Sequence, residues 1–155
     1  MVKQGDKTME RNRTSRRDFL HLGVAAGTMS ILSGCRTLGS RKADVVAQPQ
    51  NNAITLSQEE SSRLLVAEGS LLVKPKGLAD KIIVVHAEDG SLHAMSAICT
   101  HMGCTVLYDP SLDRIRCPCH GSQYGLDGHN IRGPAKRPLK QYSVRDQNGM
   151  VIISL

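Results

Sequence analysis

The sequence is poor in aromatic residues, since its 155 residues include no tryptophan, one phenylalanine and three tyrosines. The phenylalanine, Phe19, lies near the N-terminus, so a domain further along the chain has to build its core from valine, isoleucine and leucine. A domain of about 100 residues with such a core is only modestly stable. We therefore expect a covalent or metal cross-link to support it.

A long apolar run is also lacking. The most apolar stretch, residues 19–34, has sixteen residues and is interrupted by His21. As a helix it would be about 24 Å long, which is shorter than the roughly 30 Å hydrocarbon core of a bilayer. This length favours the apolar region of a signal peptide over a permanent membrane-spanning helix.

Most of the chain lacks an excess of positive charge. Residues 1–42 hold nine Lys/Arg against three Asp/Glu, which accounts for the whole formal charge of +6, because residues 43–155 hold eleven of each sign. A nucleic-acid-binding domain needs clustered cations to neutralise phosphates. The sequence therefore predicts no nucleic-acid partner.

The N-terminal region carries a paired-arginine motif. Arg16 and Arg17 are followed by Phe19, Leu20 and the apolar run, a pattern that resembles the twin-arginine signal for exporting folded proteins with their cofactors. The alternative is that the two arginines belong to an ordinary solvated tail. The apolar run directly behind them favours the export signal.

The apolar run ends in Leu-Ser-Gly-Cys at residues 32–35, which resembles a bacterial lipoprotein box. In that interpretation the chain is cut before Cys35 and the Cys35 thiol carries a lipid, whereas the alternative keeps the uncleaved run as a short membrane anchor. Both place the protein in a bacterial cell envelope, on the periplasmic side of the inner membrane. We divide the chain into a signal (1–35), a flexible linker without hydrophobic periodicity (36–53), and a folded domain (54–155).

The folded domain is predicted to be all-β, with short antiparallel strands and no long helix. A capping box at residues 57–60 predicts one helical turn, and residues 88–90 and 147–149 predict hairpins. The predicted strands are residues 54–56, 70–74, 81–86, 92–96, 106–108, 114–116, 139–145 and 150–154.

Two cysteine–histidine boxes stand out within this domain. The first reads Cys-Thr-His-Met-Gly-Cys at residues 99–104, and the second, twelve residues later, reads Cys-Pro-Cys-His-Gly-Ser-Gln-Tyr at residues 117–124. Each box offers one Cys–His pair and one further Cys. Thiolates and imidazoles are preferred ligands of transition metals, so the boxes predict a metal centre.

Both boxes closely resemble those of the Rieske iron–sulfur family, C-x-H-x-G-C and C-P-C-H-G-S. The resemblance implies an antiparallel β-sheet base domain with a small inserted cluster-binding subdomain, at about residues 97–128. It also implies one Rieske-type [2Fe–2S] cluster per chain, with two Cys on one iron and two His on the other. The ligands would be Cys99, His101, Cys117 and His120.

The resemblance also assigns a disulfide and two hydrogen-bond donors. Cys104 and Cys119 are implied to form a disulfide that ties the two boxes together, which an exported domain permits. Ser122 and Tyr124 are implied to donate hydrogen bonds to cluster sulfurs, and such donors raise the reduction potential. We therefore expect a high-potential centre, above roughly +100 mV within the Rieske range.

A further segment, Gly133-Pro134-Ala135, resembles the family's proline loop. The resemblance implies that Gly133 and Pro134 cover the cluster from a third side. The alternative is an ordinary surface turn.

Electron transfer is the function that the resemblance implies, as the iron–sulfur subunit of a quinol-oxidising cytochrome bc or b6f complex. The outer nitrogen of His101 or His120 would then accept a hydrogen bond and a proton from quinol. Such a subunit serves a larger oxidoreductase and is not expected to be a catalyst alone. Two further roles stay open, the Rieske subunit of an exported arsenite-oxidase-like enzyme with a molybdenum subunit, and a stand-alone lipoprotein electron carrier.

Two alternative hypotheses do not involve electron transfer. A structural zinc site would use the same two Cys and two His, but it leaves Cys104, Ser122 and Tyr124 without a role, and C-x-H is an unusual zinc spacing. A Cys–His nucleophilic enzyme would need an orienting acid, and the sequence has no motif for one.

Overall fold

The computed structural model describes residues 41–155. The export signal, the apolar run and Cys35 lie outside the described residues. Within 41–155 the only helices are two short 3₁₀ turns, Ser62–Leu64 and Pro110–Leu112. No helix in this part of the chain is long and apolar enough to cross a bilayer.

The described chain forms three β-sheets, which confirms the all-β prediction. The strands are β1 Val45–Ala47, β2 Ala53–Leu56, β3 Ser70–Pro75, β4 Ile82–His86, β5 Leu92–Ser96, β6 Leu107–Asp109, β7 Arg114–Arg116, β8 Gln123–Tyr124, β9 Asn130–Arg132, β10 Gln141–Tyr142, β11 Val144–Gln147 and β12 Met150–Ser154. The five-stranded sheet has the order β1-β3-β4-β5-β10, the three-stranded sheet β11-β12-β2, and the four-stranded sheet β6-β7-β8-β9. All strand pairs are antiparallel except the parallel pair β1–β3.

The five-stranded sheet is buried on both faces, because alternate side chains of a strand point to opposite sides. One face packs with the three-stranded sheet into an all-aliphatic cluster, here called the base core. The base core consists of Ala47, Ile54, Leu56, Leu64, Leu71, Val73, Ile82, Val84, Ala94, Val151 and Ile153. The opposite face packs against the four-stranded sheet and its loops, and this cluster is called the metal-side core. The metal-side core consists of Leu72, Ile83, Val85, Met95, Ala97, Cys99, Val106, Ile115, Cys117, Tyr124, Ala135 and Leu139.

Strand register keeps the two cores apart. Leu72, Ile83 and Met95 lie opposite one another across β3, β4 and β5 and face the metal-side core. The neighbouring row of Leu71, Val84 and Ala94 faces the base core. Burial on both faces explains why β3 and β4 contain the uninterrupted apolar runs at residues 71–73 and 82–85 instead of an alternating pattern.

The four-stranded sheet is inserted between β5 and β10 of the larger sheet. This agrees with the implied base domain and inserted subdomain, although the expected end of the subdomain at residue 128 is too early. Its last strand, β9, runs to Arg132 and pairs with β8. The inserted unit therefore spans about residues 97–132.

Local motifs predicted from the sequence form as expected. Ser57 N donates to Glu60 Oε2 at 3.0 Å and Glu60 N donates to Ser57 Oγ at 3.3 Å, which is a reciprocal capping box. Asn148 and Gly149 form a two-residue turn with positive φ at both positions, typical of a type I′ hairpin between β11 and β12.

The expected flexible linker is wrong over its last residues. Val45, Val46 and Ala47 pair in parallel with Val73, Lys74 and Pro75 at the edge of the five-stranded sheet. The Asp44 carboxylate also accepts a hydrogen bond from Leu72 N at 2.9 Å. The folded domain therefore begins near residue 44, because a short segment without its own periodicity can still complete a sheet edge.

Candidate metal centre

The two Cys–His boxes fold into loops with the same backbone frame. In the first loop Cys99 N donates to Cys104 O at 2.8 Å and Gly103 N donates to Cys99 O at 2.9 Å. In the second, Cys117 N donates to Ser122 O at 2.8 Å and Gly121 N donates to Cys117 O at 3.1 Å. Gly103 and Gly121 both have positive φ, which side-chain-bearing residues rarely adopt.

A disulfide joins the loops, which confirms the expected pairing. Cys104 and Cys119 are bonded, with their Cα atoms 6.5 Å apart. The Sγ atom of Cys117 lies within 4.8 Å of both sulfurs. Because the sulfurs of Cys104 and Cys119 are consumed by the disulfide, only Cys117 of these three can act as a thiolate ligand.

Two free thiols lie at the base of the loops. Cys99 and Cys117 are only 2% and 3% exposed. Burial raises the pKa of the Cys99 thiol, but hydrogen bonds from Tyr124, the His101 backbone, Cys117 and Ser122 outweigh it, so that its pKa falls below the ordinary value.

Cys117 shows the opposite shift. Burial, together with the neighbouring Cys99, raises the pKa of the Cys117 thiol. Cys99 therefore ionises more readily than Cys117 when the two sulfurs carry protons.

The two box histidines lie side by side at the outer end of the loops. The ring centroids of His101 and His120 are 4.8 Å apart, and the rings are nearly perpendicular. His101 is half-buried and His120 is exposed. The loops thus separate their donors, with sulfur inside and imidazole towards solvent.

The hydroxyl of Tyr124 lies at the centre of a small polar network. It is 3.3 Å from Cys99 Sγ and 3.2 Å from Thr100 Oγ1, and it accepts a hydrogen bond from Thr100 N at 3.3 Å. Thr100 Oγ1 donates to Arg137 O at 2.7 Å. Burial and the Cys99 contact raise the pKa of Tyr124, so that the hydroxyl keeps its proton and remains a donor.

The segment after β9 packs on the second loop. Ala135 N donates to Ser122 Oγ at 3.2 Å, which leaves the hydroxyl proton of the fully buried Ser122 available for another acceptor. A Cβ atom on Gly133 would lie 2.6 Å from Ser122 Cα, so this close approach requires glycine. Pro134 is exposed beside it.

The structure therefore brings together the box residues that the sequence singled out. It also adds Thr100 and the carbonyl of Arg137, which sequence reasoning missed. Thr100 sits inside the first box and could have been considered for that reason. A backbone carbonyl leaves no signal in the sequence.

The donor set fits a [2Fe–2S] cluster with mixed ligation. Such a cluster needs two thiolates and two imidazoles, and Cys99, Cys117, His101 and His120 are the free donors of the two loops. The buried sulfur end supplies the dry surroundings and hydrogen-bond donors that tune such clusters.

Comparison with known proteins identifies the class. Residues 59–143 match the family described as the Rieske [2Fe-2S] domain. The chain belongs to this Rieske family, and its cofactor is accordingly a Rieske-type [2Fe–2S] cluster.

Among its relatives are iron–sulfur subunits of cytochrome b6-f complexes. The chain is 53% identical over 76 residues to the subunit of Chlorobaculum tepidum, a match that covers 49% of this chain and 41% of that protein. It is 32% identical over 150 residues to the subunit of Synechococcus sp. (strain WH7803), covering 90% of this chain and 84% of the relative. The chain thus spans less than half of the first relative and most of the second.

Solved structures agree on the fold. The chain superposes on a chain from the complex of reduced oxygenase and oxidized ferredoxin in carbazole 1,9a-dioxygenase with a TM-score of 0.56. The match has 20% identity and covers 68% of this chain and 94% of that one.

Proposed function

We propose that this chain is the electron-transfer subunit of a quinol-oxidising complex of the cytochrome bc or b6f type. The observation that carries the proposal is the sorting of donors in the two loops. The thiols of Cys99 and Cys117 are buried, whereas the rings of His101 and His120 lie 4.8 Å apart at the outer end. Substrate and partner can therefore reach the imidazoles but not the sulfurs.

The four ligands are Cys99, Cys117, His101 and His120. The two thiolates and the two imidazoles would hold a [2Fe–2S] cluster, as in Rieske centres. The bound cluster supplies one-electron oxidation and reduction. The lowered pKa of Cys99 favours its ionised, metal-binding form.

The imidazoles of His101 and His120 provide the contact with quinol. The outer ring nitrogen of one of them accepts a hydrogen bond from the quinol hydroxyl and then holds its proton. The imidazole would become more basic beside a reduced, more negative centre, so that its uptake of a proton would be coupled to electron transfer. The exposure of His120 and the half-exposure of His101 support this role.

The residues around the thiols hold the reduction potential high, above roughly +100 mV. Tyr124 donates towards Cys99 Sγ, and Ser122 keeps a free hydroxyl proton close to the same sulfur. Donors to sulfur stabilise the reduced, more negative state. Gly133 and Pro134 cover this end of the centre, which limits access by water.

The partners are a b-type cytochrome and a c-type or f-type cytochrome, in keeping with the named relatives. The domain faces the periplasm of a bacterial cell envelope, exported by the twin-arginine signal. A lipid on Cys35, or a retained short anchor, keeps it at the membrane. A molybdenum-containing oxidase subunit as partner, or a free lipoprotein carrier, would be the alternatives.

Electron paramagnetic resonance during a redox titration tests the cofactor assignment. We expect a Rieske-type signal, with an average g near 1.9 by family resemblance, that titrates at high potential in the protein from its host membranes. A colourless protein containing zinc without iron or inorganic sulfide would overturn it. Copurification with a b-type cytochrome supports the bc assignment, whereas copurification with molybdenum or with no partner refutes it.

A further inference from the structure

The folded domain has no net charge, but its positive charges are concentrated in one segment of the chain. Residues 130–145, here called the basic segment, contain five Lys/Arg and no Asp/Glu. The remainder of residues 43–155 contains six Lys/Arg and eleven Asp/Glu. The two parts therefore carry formal charges of +5 and −5.

The cations of the basic segment are available to a partner. Arg132, Lys136, Arg137 and Lys140 are all exposed. The two ion pairs found within the described residues join Arg63 to Asp44 and Arg116 to Asp109, and neither involves the basic segment. Lys140 Nζ lies 4.4 Å from the Tyr142 ring centroid, a contact that leaves its charge uncompensated.

Two of these cations border a groove beside the metal centre. The groove has a volume of about 760 Å³, and its walls include Arg137, Lys140, His101 and Met102. Met102 is 70% exposed and gives the groove an apolar edge next to the imidazole.

The one acidic side chain in the groove, Asp80, is engaged by neutral donors. Asp80 Oδ1 accepts from Ser96 Oγ at 2.8 Å and from Lys81 N at 2.9 Å, and Oδ2 accepts from Tyr142 OH at 2.8 Å. Its carboxylate oxygens therefore have partners other than the groove cations, and neither of the ion pairs among the described residues engages Arg137 or Lys140. The charge of Asp80 remains, so that the two cations and this one carboxylate give the groove a formal charge of +1.

We infer that this groove docks the acidic face of a redox partner protein, which exchanges electrons with the centre through His101. The inference rests on the proposed electron-transfer function and adds where, and by what charge, the partner binds. Cations around an exit point for electrons attract a complementary acidic surface and speed encounter by 10-fold to 1,000-fold in general. The apolar edge at Met102 supplies the desolvated centre that transient interfaces use.

Anionic lipid headgroups could also bind cations, but the geometry favours a redox protein. Arg137 and Lys140 line the same groove as the half-buried His101, so that a ligand held there covers the position from which electrons leave. A lipid surface would cover this position without accepting an electron.

Stopped-flow oxidation of the reduced, cluster-loaded full chain tests the inference. The two oxidants are an acidic and a basic c-type cytochrome, and one electron passes from the reduced protein to ferric haem, giving oxidised protein and ferrous haem. Rates are compared at about 10 mM and about 150 mM salt, where the Debye length falls from roughly 30 Å to 8 Å. We expect the rate with the acidic cytochrome to fall at least about tenfold and the rate with the basic one to rise or stay constant.

Charge-reversed variants locate the effect. Arg137→Glu/Lys140→Glu should slow the acidic cytochrome at least about tenfold at low salt. Arg145→Glu is the matched control, because it lies in the basic segment but on β11 of the three-stranded sheet. The double variant changes the charge by four units and the control by two, so the single variant Arg137→Glu is also compared with Arg145→Glu. Arg137→Glu should slow the acidic cytochrome more than Arg145→Glu does, and Arg145→Glu should leave the rate within about twofold of wild type.

A binding readout without electron transfer separates this inference from the proposed function. Carbodiimide should couple carboxylates of the acidic cytochrome to Lys136 and Lys140 at low salt, and mass spectrometry identifies the joined peptides. Equal salt dependence with both cytochromes, or coupling spread over Lys74 and Lys76, overturns the docking site. Binding to phosphatidylglycerol vesicles but not to the acidic cytochrome also overturns it. Absence of the iron signal in the wild-type chain would instead refute the proposed function, while the coupling pattern still decides the docking site.

Discussion

The two cores on opposite faces of the five-stranded sheet consist of different types of residue. The base core contains only aliphatic residues and joins two sheets whose strands reach six residues in length. The metal-side core contains two thiols and a tyrosine, and it is covered by strands of two or three residues and by loops. We therefore expect the base core to be stable through burial alone, whereas we expect the metal-side core to depend on the disulfide and on bound metal.

Because of this difference, we expect the base core to determine the stability of the domain and the metal-side core to determine its electron-transfer properties. Short strands leave little backbone pairing, so the inserted unit gains its order from cross-links between loops. The same loops expose the histidines, which a thick aliphatic layer would bury. Substitutions in the base core should therefore lower the free energy of unfolding, whereas substitutions in the metal-side core should change the cluster and its reduction potential.

The largest effect is expected in the base core. Ile153→Ala removes a fully buried side chain on β12 and should lower the free energy of unfolding by about 4 kcal/mol, within the range for such truncations. Chemical denaturation followed by far-ultraviolet circular dichroism measures the change. The reduction potential of the folded fraction should stay the same.

Ile152→Ala is the matched control for this comparison. Ile152 is the preceding residue of the same strand and is only half-buried. A loss as large as that of Ile153→Ala would show that the base core does not depend on the inward face of β12.

Removal of the disulfide should weaken the metal side. Cys104→Ser/Cys119→Ser opens a link between residues 15 apart, which is worth about 3 kcal/mol in the chain-entropy account. We expect the visible absorption of the cluster to be lost at lower denaturant concentration than the far-ultraviolet signal of the base. Coincident loss of both signals would mean that the two sides unfold as one unit.

Tyr124→Phe should change the centre with little effect on the base. The variant keeps the ring but removes the hydroxyl that lies 3.3 Å from Cys99 Sγ. A net hydrogen bond of about 1 kcal/mol corresponds to a potential lower by roughly 40 mV, since 59 mV is tenfold for one electron. Potentiometric titration measures this shift.

Tyr142→Phe provides the matched control for Tyr124→Phe. Its hydroxyl donates to Asp80 at 2.8 Å, and its ring packs against the base core. An equal fall in potential for both variants would argue that the shift is a general effect of removing tyrosine hydroxyls.

The smallest effect is expected at Thr100, where a substitution should raise the reduction potential, whereas Tyr124→Phe should lower it. Thr100 Oγ1 donates its proton to Arg137 O at 2.7 Å, so towards Tyr124 it can act only as an acceptor. It lies 3.2 Å from Tyr124 OH and therefore competes with Cys99 Sγ for the Tyr124 proton. Thr100→Val removes this competitor, and the potential should rise by roughly 20 mV, the equivalent of about 0.5 kcal/mol. Thr100→Ser should restore the wild-type potential, and a fall in the Val variant contradicts the competition.

Much of the base could be predicted from the sequence because its strands carry their own pattern. The base strands at residues 92–96 and 150–154 were predicted with the bounds that the structure has. The parallel edge strand Val45–Ala47 could not be predicted, because its order comes from pairing with β3, nearly thirty residues further along.

On the metal side the sequence predicted the box residues and the strand at residues 114–116, but not how the loops are arranged. The boxes indicated the disulfide correctly, yet β8 and β9 have only two and three residues and are fixed by loop packing. The ligand assignments remain predictions of the resemblance. The charge separation was missed because a sum over residues 43–155 cancels to zero and carries no spatial information.

The shared sheet gives this protein a pair of built-in reporters. Val84 and Val85 are adjacent in the chain and both fully buried, yet one belongs to the base core and the other to the metal-side core. An isotopic label on the methyl groups of these two valines would follow both layers from a single strand. A change in the methyl signals of Val85 alone would place a disturbance in the metal-side core. A change in those of Val84 alone would place it in the base core.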